Sequence, residues 1–469
     1  MPPPRRRASR RPPGRRSGPP WCPRSSLDPS RRSRHRFTFD VQTSVFRVVA
    51  PCAAVALGLI VPPQSSRTSA APLKTALFAA VGTALTQYDV DVERATLVRR
   101  GTVTLPANVQ EAALHPSRRH LYVGWSSTGA AYGTLGAAPG DRPRHGVSAF
   151  RLDGASGLLA ADGGPVPLRA RPIHLTTDVA GTHLLTAYNN PSGVTVHRLQ
   201  PGGTIGDEVV QPNPLDGGIY AHFVRVFPSS RAVVLVTRGN GPTETAPEDP
   251  GALKVFSYDN GLLRNRASIA PGGGYGFQVR HLDFHPSRPW AFVTLERQNA
   301  IDVFRVGDDS LSAAPLFSKT TLADPGHVRP GQTTSAIHVH PNGRFVYVGN
   351  RASAPAQGPG APVSIGGENT IAVFAIDQET GEPTLIQTVD TRGFHPRTFA
   401  LDPTGRLLVA GNLTPLAVRD GTRIRTVSAG LSVFRIAADG RLEFSRQYPV
   451  ETDPAGGRLL FWMGMAALE

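Results

Sequence analysis

Cysteine is almost missing from this chain: of 469 residues only Cys22 and Cys52 are thiols, and both fall in the first 72 positions. The remaining body can therefore form no disulfide and no thiolate metal site, and it has no cysteine nucleophile. Methionine is as scarce, with Met1, Met463 and Met465. No HExxH, paired-Cys or Asp-x-Asp-x-Asp segment occurs, so no metal is indicated and no cofactor is expected. GGGYG at 272–276 lacks a strand-to-helix setting and reads as a loop. The body also lacks an excess of charge. Residues 1–72 hold 14 Arg against Asp28 and Asp40, a net of +12, which leaves 36 basic and 33 acidic side chains, a net of +3, for residues 73–469. The basic character of the chain belongs to its leader, so a nucleic-acid or membrane partner is not expected for the folded body.

What is abundant is turn-forming residues. The 49 Gly and 44 Pro exclude a mostly helical fold, while the length allows a large core. Within the leader, residues 1–47 are an Arg/Pro/Ser mixture expected to be disordered, because too little apolar surface is present to offset the ordering entropy. Residues 48–62, VVAPCAAVALGLIVP, have the length of a signal-peptide core but are short for a membrane span. The basic front is unusually long for an export signal. The favoured reading is therefore upstream sequence translated from a start placed too early, with a non-Met start near Leu73 and a cytoplasmic protein; export is the alternative.

Repetition decides the architecture. An extended segment with an aromatic or similar residue at its centre recurs at 84–91, 147–153, 194–200, 253–259, 301–307, 371–377 and 431–437. Most copies follow a turn of the type HPSRR, HPNGR or DPTGR that leads into an alternating β-branched or aromatic strand, as at His115–Val123, His285–Thr294 and His340–Gly349. Each unit of about 57 residues thus holds four strands, which is the size and content of a propeller blade. The expected fold is all-β: a seven-bladed β-propeller of four-stranded blades over 73–469. TALFAAVG at 75–82 and RLLFWMGMAA at 458–467 are expected to share one blade and close the ring. A two-sheet sandwich would not call for seven copies of one pattern.

Counting from each turn proline brings polar residues together. Six positions before it stand Gln110, His222, Arg280, Ser335 and Arg397, with Ile173 as the equivalent. Ten positions after it stand Ser126, Asn189, Arg238, Glu296, Arg351 and Leu413. The two strands are antiparallel neighbours, so both columns reach the same end of the blade, where the long connections 124–146, 239–252 and 351–369 also leave. Four consecutive blades then place His222, Arg238, Arg280, Glu296, Arg351 and Arg397 around one mouth. Strand ends are often charged simply because they are wet. A group of four Arg with one carboxylate and one imidazole fits instead the binding of a dianionic substrate. His338 lies three before its turn, on the other side of the strand. His115, His285 and His340 occupy turns at the opposite end and read as structural.

With AHFVRVFP, VRHLDFHP, Glu296 before NAIDVF, IHVHPNGRFVYVGNR and HPRTFALDPTG, residues 73–469 resemble the seven-bladed lactonase family, which includes propeller-type bacterial 6-phosphogluconolactonases and fungal carboxymuconate-cyclising enzymes. The resemblance implies a cleft at the channel mouth in which His222, Glu296, Arg280 and Arg351 act on a small anionic lactone or its open acid. Arg397, Arg238, His338 and Asn412 would be substrate contacts. The family pattern has an Asn before its Glu and a Leu after it, where this chain has Leu295 and Arg297, and a late Asn-Gln pair is here Asn412-Leu413. Lactone hydrolysis needs a base for water, donors for the oxyanion and a proton for the ring oxygen. His222 or Glu296 is expected to be the base and the other the acid, with Arg280 and Arg351 on the oxyanion. Cycloisomerisation of a carboxylated muconate would use the same residues, and a non-catalytic binding propeller would use none of them. A monomer is expected.

Overall fold

The structure, a computed structural model, describes residues 74–128, 142–354 and 363–468. The leader, with its expected disorder and apolar run, lies outside them, as do parts of the loops 124–146 and 351–369. Among the described residues no helix is long and apolar enough to cross a membrane.

Seven antiparallel sheets follow one another, each with four principal strands, and a separate hairpin pairs Leu416–Asp420 with Arg423–Val427. We number the blades along the chain. Blade 1 takes its inner strand, Leu460–Ala467, from the end of the chain, and Thr75–Val81 pairs with it from Thr75 opposite Ala467 to Ala80 opposite Trp462. The expected ring closure is therefore present. The inner strands of blades 2 to 7 are Asn108–Leu114, Pro172–Thr177, Ala221–Val226, Val279–Phe284, Thr333–Val339 and Pro396–Leu401. In each of blades 2 to 7 the second strand leaves the turn, and the recurring aromatic segment forms the third strand.

Apolar residues pack between blades. Val234, Val236 and Val255 of blade 4 meet Leu282, Ala291 and Val293 of blade 5 in one buried layer. Burying each such side chain contributes on the order of 1.5–3 kcal/mol. At the turn end the blades are also latched by histidine. Nε2 of His115, His285 and His340 lies 2.8 Å from the carbonyl oxygens of Gly181, Gly343 and Gly405 in the next blade's turn. Gly343 has φ +71°, and a Cβ there would lie 2.5 Å from the His285 ring, so the turn needs glycine for both its backbone and its neighbour. Asp178 takes the histidine's place in blade 3 and accepts a 2.9 Å hydrogen bond from Tyr258 of blade 4.

One irregularity recurs in all seven blades. The ladder between the inner strand and its neighbour slips by one residue at the inner strand's start, between Val109 and Glu111, Pro172 and His174, Ala221 and Phe223, Val279 and Leu282, Thr334 and Ile337, Pro396 and Thr398, and Leu460 and Trp462. The extra residues at these bulges include Gln110, Ile173, His222, Arg280, Ser335, Arg397 and Phe461. A β-bulge re-aims the side chain it carries. The polar column read from the sequence is thus a column of bulges.

Candidate active site at the channel mouth

Glu296 follows directly on the second strand of blade 5, and its backbone is fixed on both sides. Its N–H donates to the Gln278 carbonyl at 2.7 Å, and its carbonyl accepts from Thr334 N–H of blade 6 at 2.9 Å. The buried carboxylate collects three guanidinium groups. Arg238 reaches Oε2 at 2.6 Å, Arg280 approaches Oε1 at 3.4 Å, and Arg351 bonds Oε1 directly. Burial alone would raise the Glu296 pKa, but Arg351, Arg238 and Arg280 together outweigh it and hold the group at about 2. It is a fixed anion.

The imidazoles around it are neutral. His222 is buried and held well below the ordinary histidine value, first by burial and then by the charges of Arg280, Arg238, Arg397 and Arg351. Its Nδ1 is enclosed and has no hydrogen-bond partner among the described residues. Next to it, with ring centroids 5.3 Å apart, is His281, whose Nε2 accepts from Arg280 at 3.0 Å. His395 faces Arg351, which donates to its Nε2 at 3.4 Å, while its Nδ1 lies 2.9 Å from Ser353 Oγ. Arg351 also donates to Thr333 Oγ1 at 3.0 Å. Arg397 stacks on Phe461, with its guanidinium carbon 3.8 Å from the ring centroid, so two bulge residues of adjacent blades support one another.

Arg238 is the outermost member, with about a fifth of its side chain exposed (21%). Its guanidinium lies 4.1 Å from the Tyr220 ring centroid, and its backbone N–H donates to the Tyr220 carbonyl. Tyr220 adopts φ +56°, an unusual conformation for a residue with a side chain.

The structure brings His222, Glu296, Arg280, Arg351, Arg238 and Arg397 to the same end of their blades. The other two expected contacts, His338 and Asn412, have different surroundings. His338 lies on the channel wall toward the turns, edge-on to Phe399 with centroids 4.9 Å apart. The side-chain amide of Asn412 is engaged by Thr391 and Ser432, with bonds of 2.8, 3.0 and 3.1 Å. Beneath the mouth the channel forms a cavity of about 710 Å³, lined by residues three and five before the turn prolines, among them Glu111, Phe223, Arg225, His281, Asp283 and His338. Sequence counting passed over Tyr220, His281, His395 and Glu111 as site residues. For His281 the signal was its place beside Arg280, and for Glu111 the alternate parity of the strand.

The family model described as "Lactonase, 7-bladed beta-propeller" matches residues 75–418. The chain belongs to this lactonase family. Among its relatives, the 6-phosphogluconolactonase of Bacillus subtilis (strain 168) is 29% identical over 278 residues, 57% of this chain and 70% of the relative. That of Pectobacterium carotovorum subsp. carotovorum (strain PC1) is 26% identical over 316 residues, covering 66% of this chain and 79% of the relative. The solved structure of the periplasmic gluconolactonase of Pseudomonas aeruginosa shares the fold with TM-score 0.62 at 20% identity, over 84% of this lactonase-family chain and all (100%) of that one.

Proposed function

We propose that the chain hydrolyses the ring ester of an anionic sugar-acid lactone, as the names of its 6-phosphogluconolactonase relatives suggest. The observation that supports this most is a neutral, unpartnered His222 Nδ1 beside guanidinium groups that share one carboxylate. Arg280 and Arg351 carry fixed donors suited to the carbonyl oxygen as it becomes an oxyanion. His222 takes a proton from the attacking water and returns it to the ring oxygen as the carbon–oxygen bond breaks, leaving a hydroxyl and an acid that ionises.

Of the two candidates for the base, the protonation states favour His222. Glu296, at about 2, is a weak proton acceptor and serves to hold Arg238, Arg280 and Arg351 in place. His222 is weakened partly by the surrounding cations. A bound anion offsets their charge and brings the imidazole back toward its ordinary range, so substrate arrival makes the base stronger. Arg238, partly exposed and bonded to Glu296, is the group an incoming anion displaces.

The test is ring opening of 6-phosphoglucono-δ-lactone and glucono-δ-lactone, with the spontaneous rate subtracted, beside cyclisation of a carboxymuconate. Lactone opening well above the buffer rate is expected, and it should be lost in His222→Gln. Opening at the buffer rate with both lactones refutes the proposal, and turnover of the muconate alone replaces it with the cycloisomerase reading.

A further inference from the structure

We propose that Arg171 is a specificity-determining residue that receives a second anionic group of the substrate, at the side of the mouth opposite Arg351. The inference rests on the lactonase reading above and adds to it the charge pattern of the substrate. Arg171 immediately precedes the inner strand of blade 3, at the same end of the ring as His222 and Arg280. Its Nε donates at 2.7 Å to Gln110 Oε1, and Gln110 in turn donates to the Asn108 carbonyl at 2.9 Å, which fixes the guanidinium plane. Gln110 is buried and is the bulge residue of blade 2.

The charge on Arg171 is not answered. Among the described residues no carboxylate lies within ion-pair distance of it, and its terminal Nη2 is enclosed without a hydrogen-bond partner. Removing a guanidinium from water without a counter-ion is costly, and such a group is a receptor for an anion. Its place in the site follows from its neighbours. It lies near Tyr220, and Tyr220 stacks on Arg238, which bonds Glu296.

The cations therefore fall into two sets. Arg280 and Arg351 are tied to Glu296 beside His222, where the reacting carbonyl is proposed to sit, whereas Arg171 stands three blades away from Arg351 around a seven-membered ring. One small anion cannot satisfy both sets. A lactone with an anionic substituent at the end remote from its carbonyl can, whether that substituent is a phosphoryl group or a carboxylate.

The experiment compares the unmodified chain with Arg171→Met and Arg171→Lys on three lactones: 6-phosphoglucono-δ-lactone, a glucaric acid lactone and uncharged glucono-δ-lactone. Arg171→Met is expected to lower kcat/KM for a lactone with a remote anion about 10- to 100-fold, mainly through KM, because a charge-assisted bond is lost. Turnover of the uncharged lactone should stay within about threefold, and Lys should restore part of the loss. Which charged lactone shows the loss tells whether phosphoryl or carboxylate is the partner. An equal change on all three, or none on any, overturns the inference. Calorimetric binding of 6-phosphogluconate, glucarate and gluconate separates this from the lactonase reading. If no lactone is opened but Arg171→Met weakens only the acids with a remote anion, the anion site stands and the lactonase reading falls. Failure of all three acids to bind the unmodified chain overturns the site as well.

Discussion

Replacing Glu296 by Gln should lower stability by an amount that depends on pH. The carboxyl titrates at about 2 in the folded chain, against 4.5 ordinarily. A depressed value means that the folded state favours the ionised form, so the contribution is complete above 4.5 and is lost as pH falls toward 2. The difference corresponds to about 3 kcal/mol at neutral pH. A second estimate agrees: removing one member of a buried ion pair typically costs roughly 3–5 kcal/mol, because the partners are left charged and enclosed. Here the partners left behind are Arg238, Arg280 and Arg351. The assay is urea unfolding of the parent chain and Glu296→Gln at pH 7, 5, 4 and 3. Other carboxylates titrate in both proteins, so the informative quantity is the gap between them. It should be near 3 kcal/mol at pH 7 and shrink steadily below pH 4.5. A gap that stays constant across this range, or one below about 1 kcal/mol at pH 7, would show that the three guanidinium groups do not depend on this carboxylate.

Arg280→Ala should reduce kcat for lactone opening by about 10²–10³ as an oxyanion donor is lost, with an unchanged far-ultraviolet circular dichroism spectrum; near-parent turnover would reject that role. Gly343→Ala combines a left-handed backbone with a Cβ 2.5 Å from His285, so the latch between blades 5 and 6 must open. The expected loss is about 2–3 kcal/mol, read as a lower Tm and unfolding midpoint. Glu111 lies in the channel, where burial, only partly countered by Arg397, raises its carboxyl to about 7. Its folded value lies above the unfolded one, so it weakens the fold increasingly as pH rises from 4.5 through 7. Glu111→Gln should then be more stable than the parent at pH 8 and indistinguishable near pH 4, and thermal melts at the two pH values check this.

Much of the architecture could be read from spacing because a propeller repeats itself. The seven aromatic segments and their turns fixed strand number and order, and the apolar ends at 75–82 and 458–467 marked the closing blade. The mouth was reached by counting six residues back from each proline, which treats the inner strand as regular. That count arrived at His222, Arg280 and Arg397 although each inner strand contains a bulge. It succeeded because the bulge sits at the same place in every blade, so the count stayed in register from blade to blade. The same assumption left most of the channel wall unread, since Glu111 and His281 belong to the other parity, where His338 alone was noticed. Arg171 and Tyr220 were out of reach for a different reason. They stand just outside the strands, where direction is set by loop backbone such as the positive φ of Tyr220 rather than by alternation. Asn412 looked available by position, but its hydrogen bonds to Thr391 and Ser432, 21 and 20 residues away in sequence, cannot be inferred from pattern.

The column of bulges also bears on how such a protein changes its chemistry. Each of these residues stands outside the regular pairing of its ladder, so the identity of the side chain is largely decoupled from the backbone pairing that holds the blade together. Around the ring the column reads Phe461, Gln110, Ile173, His222, Arg280, Ser335 and Arg397. Apolar and uncharged side chains occupy blades 1 to 3, the neutral imidazole of His222 stands in blade 4, and guanidinium groups stand in blades 5 and 7. The rim behaves as a dial with seven settings, and changing one setting alters what the opening accepts while leaving the wheel beneath it intact.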